Sequence, residues 1–419
     1  MIRRSLVLFT LLWCPPAFAA PVSVESLISG SLDQVPAVES ARRTADAQAA
    51  RVGIAKAPYY PRVDLNASAI RASGVAPAAP GGPAGDAGQA GLALHQLLYN
   101  FGQTAAQVDL AEALARVAAQ QADARTVDAA AQIRLTYVQW AEARGLEAQA
   151  LDQVRKAERL RDQASAFFRN GVRSRIDVTR AEVAVAQARA ALVTARTAIE
   201  QSRRALAAAL GGHEVDGEPF FPAVPAIAGQ PLPRLEQAAT DVHPSVGAAR
   251  GRLGAAEATR IATERLGSAE LNLDGLVAGR VRDTDYGPAW QAGLSLGLPV
   301  LTGGAIDAQR AAARQAEAAA RADLADQVLQ VKLAVDRAYL GVEGARARLS
   351  AFELARSAAR ETFSQAESRY RGGVGSIIEE SDAQALLASA EGDVVRATSA
   401  YHQALAELVR ASGHTGVEK

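Results

Sequence analysis

The chain has 419 residues, with 45 Lys and Arg against 45 Asp and Glu, so its formal net charge at pH 7 is zero. This balance excludes the strong basic field that non-specific nucleic-acid binding requires. Hydrophobic residues make up 49% of the chain but aromatic residues only 5%, and alanine, which supplies much of the hydrophobic share, favours helix while filling little core volume. The composition therefore favours long helices packed side by side over a conventional globular core.

The N-terminal residues 1–19 are predicted to be a secretory signal peptide. Arg3 and Arg4 form its charged region, residues 6–13 form a short apolar core, and Ala17-Phe18-Ala19 precedes the cleavage site. A retained membrane anchor is the alternative, but the apolar run is shorter than the ~20 residues that a span needs. Lipidation of Cys14 is a second alternative. Since Cys14 is the only cysteine, the mature chain has no disulfide and no thiolate metal site.

The first structural repeat is predicted over residues 20–211. After a helical stretch that ends at Pro58, apolar and polar side chains alternate, which is typical of a strand, and a Gly- and Pro-rich loop leads to a second alternating run. Residues 103–169 contain no proline, which predicts one helix of roughly 100 Å. The predicted elements are strands at about 62–72 and 89–99 and a helical hairpin over 103–210 with its tip at 170–174.

The second repeat, residues 243–413, matches the first. A Pro-rich equatorial linker over 212–242 separates them. Pro244 matches Pro36 at an offset of 208 residues, whereas Gly373 matches Gly171 at an offset of 202, so the first strand pair is six residues longer. The predicted elements are strands at about 269–281 and 289–300, a helical hairpin over 304–412 with its tip at 372–376, and a C-terminal tail over 414–419.

The last helix carries an apolar seam with near-heptad spacing, which predicts close helix pairing. The seam is Ala383, Leu387, Ala390, Val394, Ala397, Tyr401, Leu405 and Leu408.

The four predicted strands cannot form a membrane barrel alone, because four strands are too few to close one and open edges cannot sit in lipid. If they are membranous, the chain must oligomerise; the alternative is a pair of ordinary soluble hairpins.

The junction Leu98-Tyr99-Asn100-Phe101-Gly102-Gln103, the duplicated architecture and the two glycine tips resemble the TolC family of outer-membrane efflux proteins (outer membrane factors). The resemblance implies a mainly α fold with a small β part. It also implies a homotrimer in the outer membrane of a Gram-negative bacterium, in which a 12-stranded β-barrel set in outer-membrane lipid continues into a periplasmic α-helical barrel. Such a channel-tunnel is the passive exit duct of a tripartite efflux pump or a type I secretion system.

The same resemblance implies partners. It predicts a periplasmic adaptor (membrane fusion) protein and an inner-membrane RND or ABC transporter, and no nucleic acid. The cargo stays open among drugs, metal ions, small molecules and proteins.

The resemblance also assigns roles to residues of the tips. Glu379 and Asp382 would ring the periplasmic aperture, where carboxylates favour cations and bind multivalent ones, although acids are favoured in the first turn of any helix. Asp177 and Tyr370 match a gate contact. Gly375 stands where the family has an arginine partner, and Arg173, the duplicate position, is open as a substitute. The adaptor docking tips would be Gly171, Val172, Gly373 and Val374, although a glycine turn serves any hairpin.

No catalytic or metal-binding pattern is found in the sequence, so an enzyme, a cofactor and a metal site are not expected. The five histidines are scattered without metal-ligand spacing, and the Gly-Gly pairs lack a phosphate-binding context. The alternative function is a soluble periplasmic coiled-coil adaptor or scaffold. Such a protein would carry one hairpin flanked by β-rich domains, whereas this chain carries two hairpins and four strands.

Overall fold

The computed structural model describes residues 21–71, 86–282 and 285–416, so the predicted signal peptide with Cys14, most of the first strand loop and the last three residues lie outside the described residues. The helices are α1 (Val24–Ser31), α2 (Pro36–Lys56), α3 (Gln103–Arg169), α4 (Arg175–Ala209), α5 (Leu232–Val242), α6 (Pro244–Glu264), α7 (Ala305–Arg371) and α8 (Ile377–Ala411). The strands are β1 (Pro21–Val22), β2 (Arg62–Arg71), β3 (Asp86–Tyr99), β4 (Glu218–Pro219), β5 (Glu270–Arg282) and β6 (Asp285–Gly297). The prediction of a mainly α fold with a small β part is confirmed.

The two helical hairpins have equal dimensions. Helices α3 and α7 each contain 67 residues, and helices α4 and α8 each contain 35 residues. At a rise of about 1.5 Å per residue, α3 and α7 are each roughly 100 Å long. Every boundary of the second hairpin follows the first by 202 residues, so the sequence offset is also a structural one.

The repeat extends further towards the N-terminus than the sequence boundary of 243. At the offset of 208 residues, α6 corresponds to α2. Helix α5 begins at Leu232, the position equivalent to the first residue of α1, Val24. Helix α5 therefore lies inside the segment interpreted as a Pro-rich linker, where Leu235 and Ala239 are buried. We place the start of the second repeat at Leu232, because its helix packs on α7 as a core element.

The last strand begins and ends earlier than the sequence indicated. The predicted strand bounds leave Pro288 in the connection between the two strands, but it lies within β6 and opposes Gly279 of β5. Within one copy, the sheet order β2-β3-β5-β6 puts β6 at an edge, which is the place in a sheet where proline is tolerated.

The antiparallel four-stranded sheet has one apolar face and one polar face. Leu65, Leu92, Val277 and Trp290 oppose one another across all four strands, and each side chain is between 53% and 80% exposed. The opposite face carries His95, whose Nδ1 lies 2.8 Å from Asp274 Oδ1. The outer edges of β2 and β6 are unpaired within the described chain.

Two buried clusters fix the middle of the long helices. The first joins α1 to α3 and α4 through Ile28, Tyr137 and Leu206. The second joins α5 to α7 and α8 through Leu235, Val335 and Leu408. Since Leu206 and Leu408 are 202 residues apart, the clusters are two copies of one arrangement. The apolar seam predicted on α8 is buried along its length except at Tyr401, which is partly buried.

Candidate functional site at the two hairpin tips

Both hairpins reverse direction at a glycine with a left-handed backbone. Gly171 has φ +70° and Gly373 has φ +79°, a conformation that side chains rarely adopt. The Val172 N–H donates to the Phe167 carbonyl at 2.9 Å, and the equivalent bond of Val374 measures 3.1 Å. These bonds satisfy carbonyls at the end of the preceding helix, so both long helices end in the same way.

The four residues predicted as docking tips lie at the solvent-facing end of the turns. Val172 is 59% exposed and Val374 is 77% exposed. A Cβ atom added at Gly171 or Gly373 would meet nothing within 4 Å. An approaching protein would therefore reach an apolar side chain and bare backbone at each tip.

Arg173 crosses from the first tip to the second. One terminal guanidinium nitrogen, Nη2, donates to the Gly373 carbonyl at 3.0 Å and to the Gly375 carbonyl at 2.5 Å. The guanidinium carbon lies 5.7 Å from the centre of the Tyr370 ring, within the range of a cation–π contact. Arg173 thus contacts the backbone and the central aromatic side chain of the other hairpin.

Tyr370 is completely buried in a small apolar cluster with Leu160 and Ile377. Its ring packs edge-to-face against Phe167 at 5.6 Å. Among the described residues its hydroxyl has no hydrogen-bond partner. The predicted gate contact with Asp177 is therefore not a hydrogen bond in this structure.

Burial raises the pKa of Tyr370 to about 12, and the carboxylates of Asp177 and Glu380 add to the rise while Arg173 opposes it. Asp177 is itself half-buried. The Asp177 carboxylate thus opposes ionisation of the Tyr370 hydroxyl.

Glu379 and Asp382, the predicted aperture acids, are both exposed on the first turns of α8. They are three residues apart, which places them on one side of the helix. Glu379 Oε2 lies 3.6 Å from Arg369 Nε, and the Glu379 amide is capped by the Ser376 hydroxyl at 3.1 Å. Because both carboxylates face solvent, they add negative charge to the tip surface.

The sequence interpretation missed Glu380, which is only 4% exposed. Burial raises the pKa of its carboxyl to about 7, with Glu367 adding to the rise and Arg371 opposing it. Its Oε2 atom has no partner among the described residues. The signal for this site was present in the repeat, because the same position of the first hairpin is Val178, a partly buried apolar residue.

The described residues contain neither a metal-binding cluster nor a membrane-spanning helix. Within 21–71, 86–282 and 285–416 no group of three or more His, Cys, Asp or Glu side chains could hold a metal ion. No helix in the described part of the chain is both long and apolar enough to cross a membrane.

The chain is similar to known proteins over almost its whole length. A sequence model described as "Outer membrane efflux protein" matches residues 27–212 and 235–414. Protein CyaE of Bordetella pertussis is 29% identical over 425 residues, which covers 96% of this chain and 87% of that protein.

Solved structures share the fold. A membrane protein from Pseudomonas aeruginosa superposes with a TM-score of 0.81 at 21% identity, covering 95% of this chain and 92% of that one. The outer membrane protein VceC from Vibrio cholerae gives a TM-score of 0.78 at 19% identity, covering 94% and 97% of the two chains. At these identities the likeness establishes the fold alone.

Proposed function

Because the chain belongs to the family of outer membrane efflux proteins, it is an outer-membrane channel with a periplasmic tunnel, and we propose that it works as a homotrimer. Channels of this family work with periplasmic adaptors and inner-membrane transporters. We further propose that this channel is a passive exit duct, docked on a membrane fusion protein and an RND or ABC transporter.

The sheet supports the trimer most strongly. Its apolar face is exposed, the outer edges of β2 and β6 are unpaired within the described chain, and open edges are not tolerated in lipid. A membrane barrel needs at least about eight strands, so one copy, with four, is insufficient. Three copies joined edge to edge, β6 of one to β2 of the next, supply twelve strands and leave no edge.

The helices support the same arrangement. Helix α8 is packed between α3 and α7, whereas α4 buries only Ala181, Val185, Ala195 and Leu206. Helix α7 exposes Leu329, Leu340 and Leu354, each by more than 60%. Contact between α4 of one copy and α7 of the next would cover these apolar side chains and close a helical tunnel.

The tips are proposed as the regulated end of the tunnel. Glu379 and Asp382 from three copies would place six carboxylates at the aperture and select for cations. Asp177 and Tyr370 are proposed as the gate contact, although no hydrogen bond joins them within the described chain. Gly171, Val172, Gly373 and Val374 form the docking surface for the adaptor.

Membrane fractionation and cross-linking test this proposal. We expect the mature protein in the outer-membrane fraction, as trimers that form pores in planar lipid bilayers. Recovery of a monomer in the soluble periplasm would contradict the channel and favour the coiled-coil adaptor.

A further inference from the structure

Arg173 and Gly375 occupy the same position in the two copies of the repeat, 202 residues apart. In the first hairpin this position carries the longest side chain of the tip, and in the second it carries none. The Arg173 guanidinium donates to the carbonyl of Gly375 itself at 2.5 Å. The two members of one duplicated position therefore contact each other.

Gly375 is required for space and not for backbone conformation. Its φ is not among the positive values of the chain, so a side chain is allowed by the dihedral angles. A Cβ atom there, however, would lie 2.9 Å from the Tyr370 nitrogen and 3.0 Å from both the carbonyl carbon and the Cβ of Arg369. Because two of these atoms are backbone, any side chain at 375 would force the turn to shift, and the Gly375 carbonyl with it.

The Arg173 guanidinium also packs against the buried aromatic residue of the second tip. The Arg173 guanidinium lies 5.7 Å from the Tyr370 ring centre, and Tyr370 packs on Phe167 of the first hairpin. Charged donors make the stronger hydrogen bonds. Arg173 and Phe167, both from the first hairpin, thus hold Tyr370 of the second.

We propose that Arg173 and Gly375 form an interhairpin lock, in which the arginine of the first tip fastens the glycine turn of the second and keeps the periplasmic end of the channel closed. This proposal rests on the proposed channel function. Arg173 is a positioning residue, since it holds the turn before Glu379 and Asp382 without touching cargo. The lock also explains why the second tip has no arginine at 375, because no side chain fits there.

Single-channel recording in planar bilayers tests the lock. We compare wild-type trimers with Arg173→Ala, Gly375→Ala and the double variant. Each single variant should raise the ratio of open to closed time by about tenfold, because Arg173→Ala removes the charged donor and Gly375→Ala displaces the carbonyl that accepts from it. The double variant should open no more than the stronger single variant, because both changes break one contact.

Arg175→Ala is the matched control. Arg175 lies two residues from Arg173 on the same turn and is exposed, so its removal changes the tip charge equally without touching the lock. Unchanged gating in Arg173→Ala, an equal effect of Arg175→Ala, or additive effects in the double variant would each overturn the proposal.

Amide hydrogen exchange tests the lock independently of whether the protein forms a pore. In detergent, Arg173→Ala should speed exchange in residues 369–376 about tenfold, while Arg173→Lys, which keeps the charge, should have a smaller effect. Faster exchange in Arg173→Ala, combined with a wild-type protein that forms no pores, would retain the contact between the tips and reject the channel. Unchanged exchange in Arg173→Ala would reject the lock, whether or not the protein forms pores. If Gly375→Ala fails to fold, the two Arg173 variants still test the lock.

Discussion

The two hairpin tips share a backbone but differ in almost every charged side chain. Residues 169–180 of the first tip carry four arginines and one acid, whereas the equivalent residues 371–382 carry one arginine and three acids. Glycine reverses both turns with φ values of +70° and +79°, so the difference lies in chemistry and not in path.

This contrast indicates a division of roles within one chain. The first tip supplies donors, through Arg173, and the second supplies acceptors and acids, through the Gly375 carbonyl, Glu379 and Asp382. The duplicated backbone holds these groups at the same height along the hairpins. Variants that make one tip resemble the other therefore test how much the difference matters.

The largest expected effect concerns docking. Val374→Glu places a charge on the most exposed apolar residue of the second tip and should abolish export by the assembled pump while trimers stay intact. Val374→Thr, which keeps the shape without the charge, is the control and should export normally. Val172→Glu then shows whether the first tip contributes equally; normal export in Val374→Glu would place the adaptor elsewhere.

The next effect concerns Glu380 and pH. The pKa of its carboxyl is raised from 4.5 to about 7 in the folded chain, so the folded state binds its proton more tightly. Protonation of Glu380 therefore stabilises the folded chain fully below pH 4.5, and this contribution is lost as pH rises through about 7. The shift in pKa corresponds to a change of about 3 kcal/mol in the free energy of unfolding.

Hydrogen exchange of the second tip, corrected for the intrinsic rate, measures this change in its local opening free energy. Glu380→Val copies the first hairpin, which has Val178 at this position. We expect it to remove the pH dependence and to protect the tip at pH 8. A wild-type slope that persists in Glu380→Val would assign the titration to another group.

A smaller effect is expected at the aperture. Replacing Glu379 and Asp382 with alanine should weaken the block of single-channel current by divalent cations by about tenfold, equivalent to about 1.4 kcal/mol. Asp177→Ala, at the first-tip position equivalent to Glu379, should change the block less. An unchanged block in the double variant would remove both acids from the aperture.

The smallest effect compares two helix caps. The Ser376 hydroxyl accepts from the Glu379 amide at 3.1 Å, whereas Ser174, its duplicate, makes no capping bond. Ser376→Ala should therefore destabilise the start of α8 by about 1 kcal/mol, seen as faster exchange of residues 376–380. Ser174→Ala should leave α4 unchanged, and equal losses would mean that both serines act as caps.

The two structural repeats could be predicted from the sequence, because glycine, proline and alternating apolar residues determine local backbone structure. The ends of α3 and α7 follow from glycines that break a helix, and the strands follow from a period of two. It could not reveal the Arg173 contact, because the partner of a long side chain depends on which hairpin lies beside it. Neighbouring prolines obscure helix α5 in the sequence. Glu380 lies beside the exposed Glu379, and only the comparison with Val178 of the first repeat indicates that its position is buried.

The equal length of the two hairpins has a consequence for how the chain can change. One residue deleted from α7 alone would retract the second tip by about 1.5 Å and rotate it by about 100°, which would carry Gly375 out of reach of Arg173. A whole heptad removed from both α7 and α8 would keep the packing faces but leave the two tips about 10 Å apart in height. The reach of this duct across the periplasm can therefore be lengthened or shortened only by matched edits in both halves of the gene.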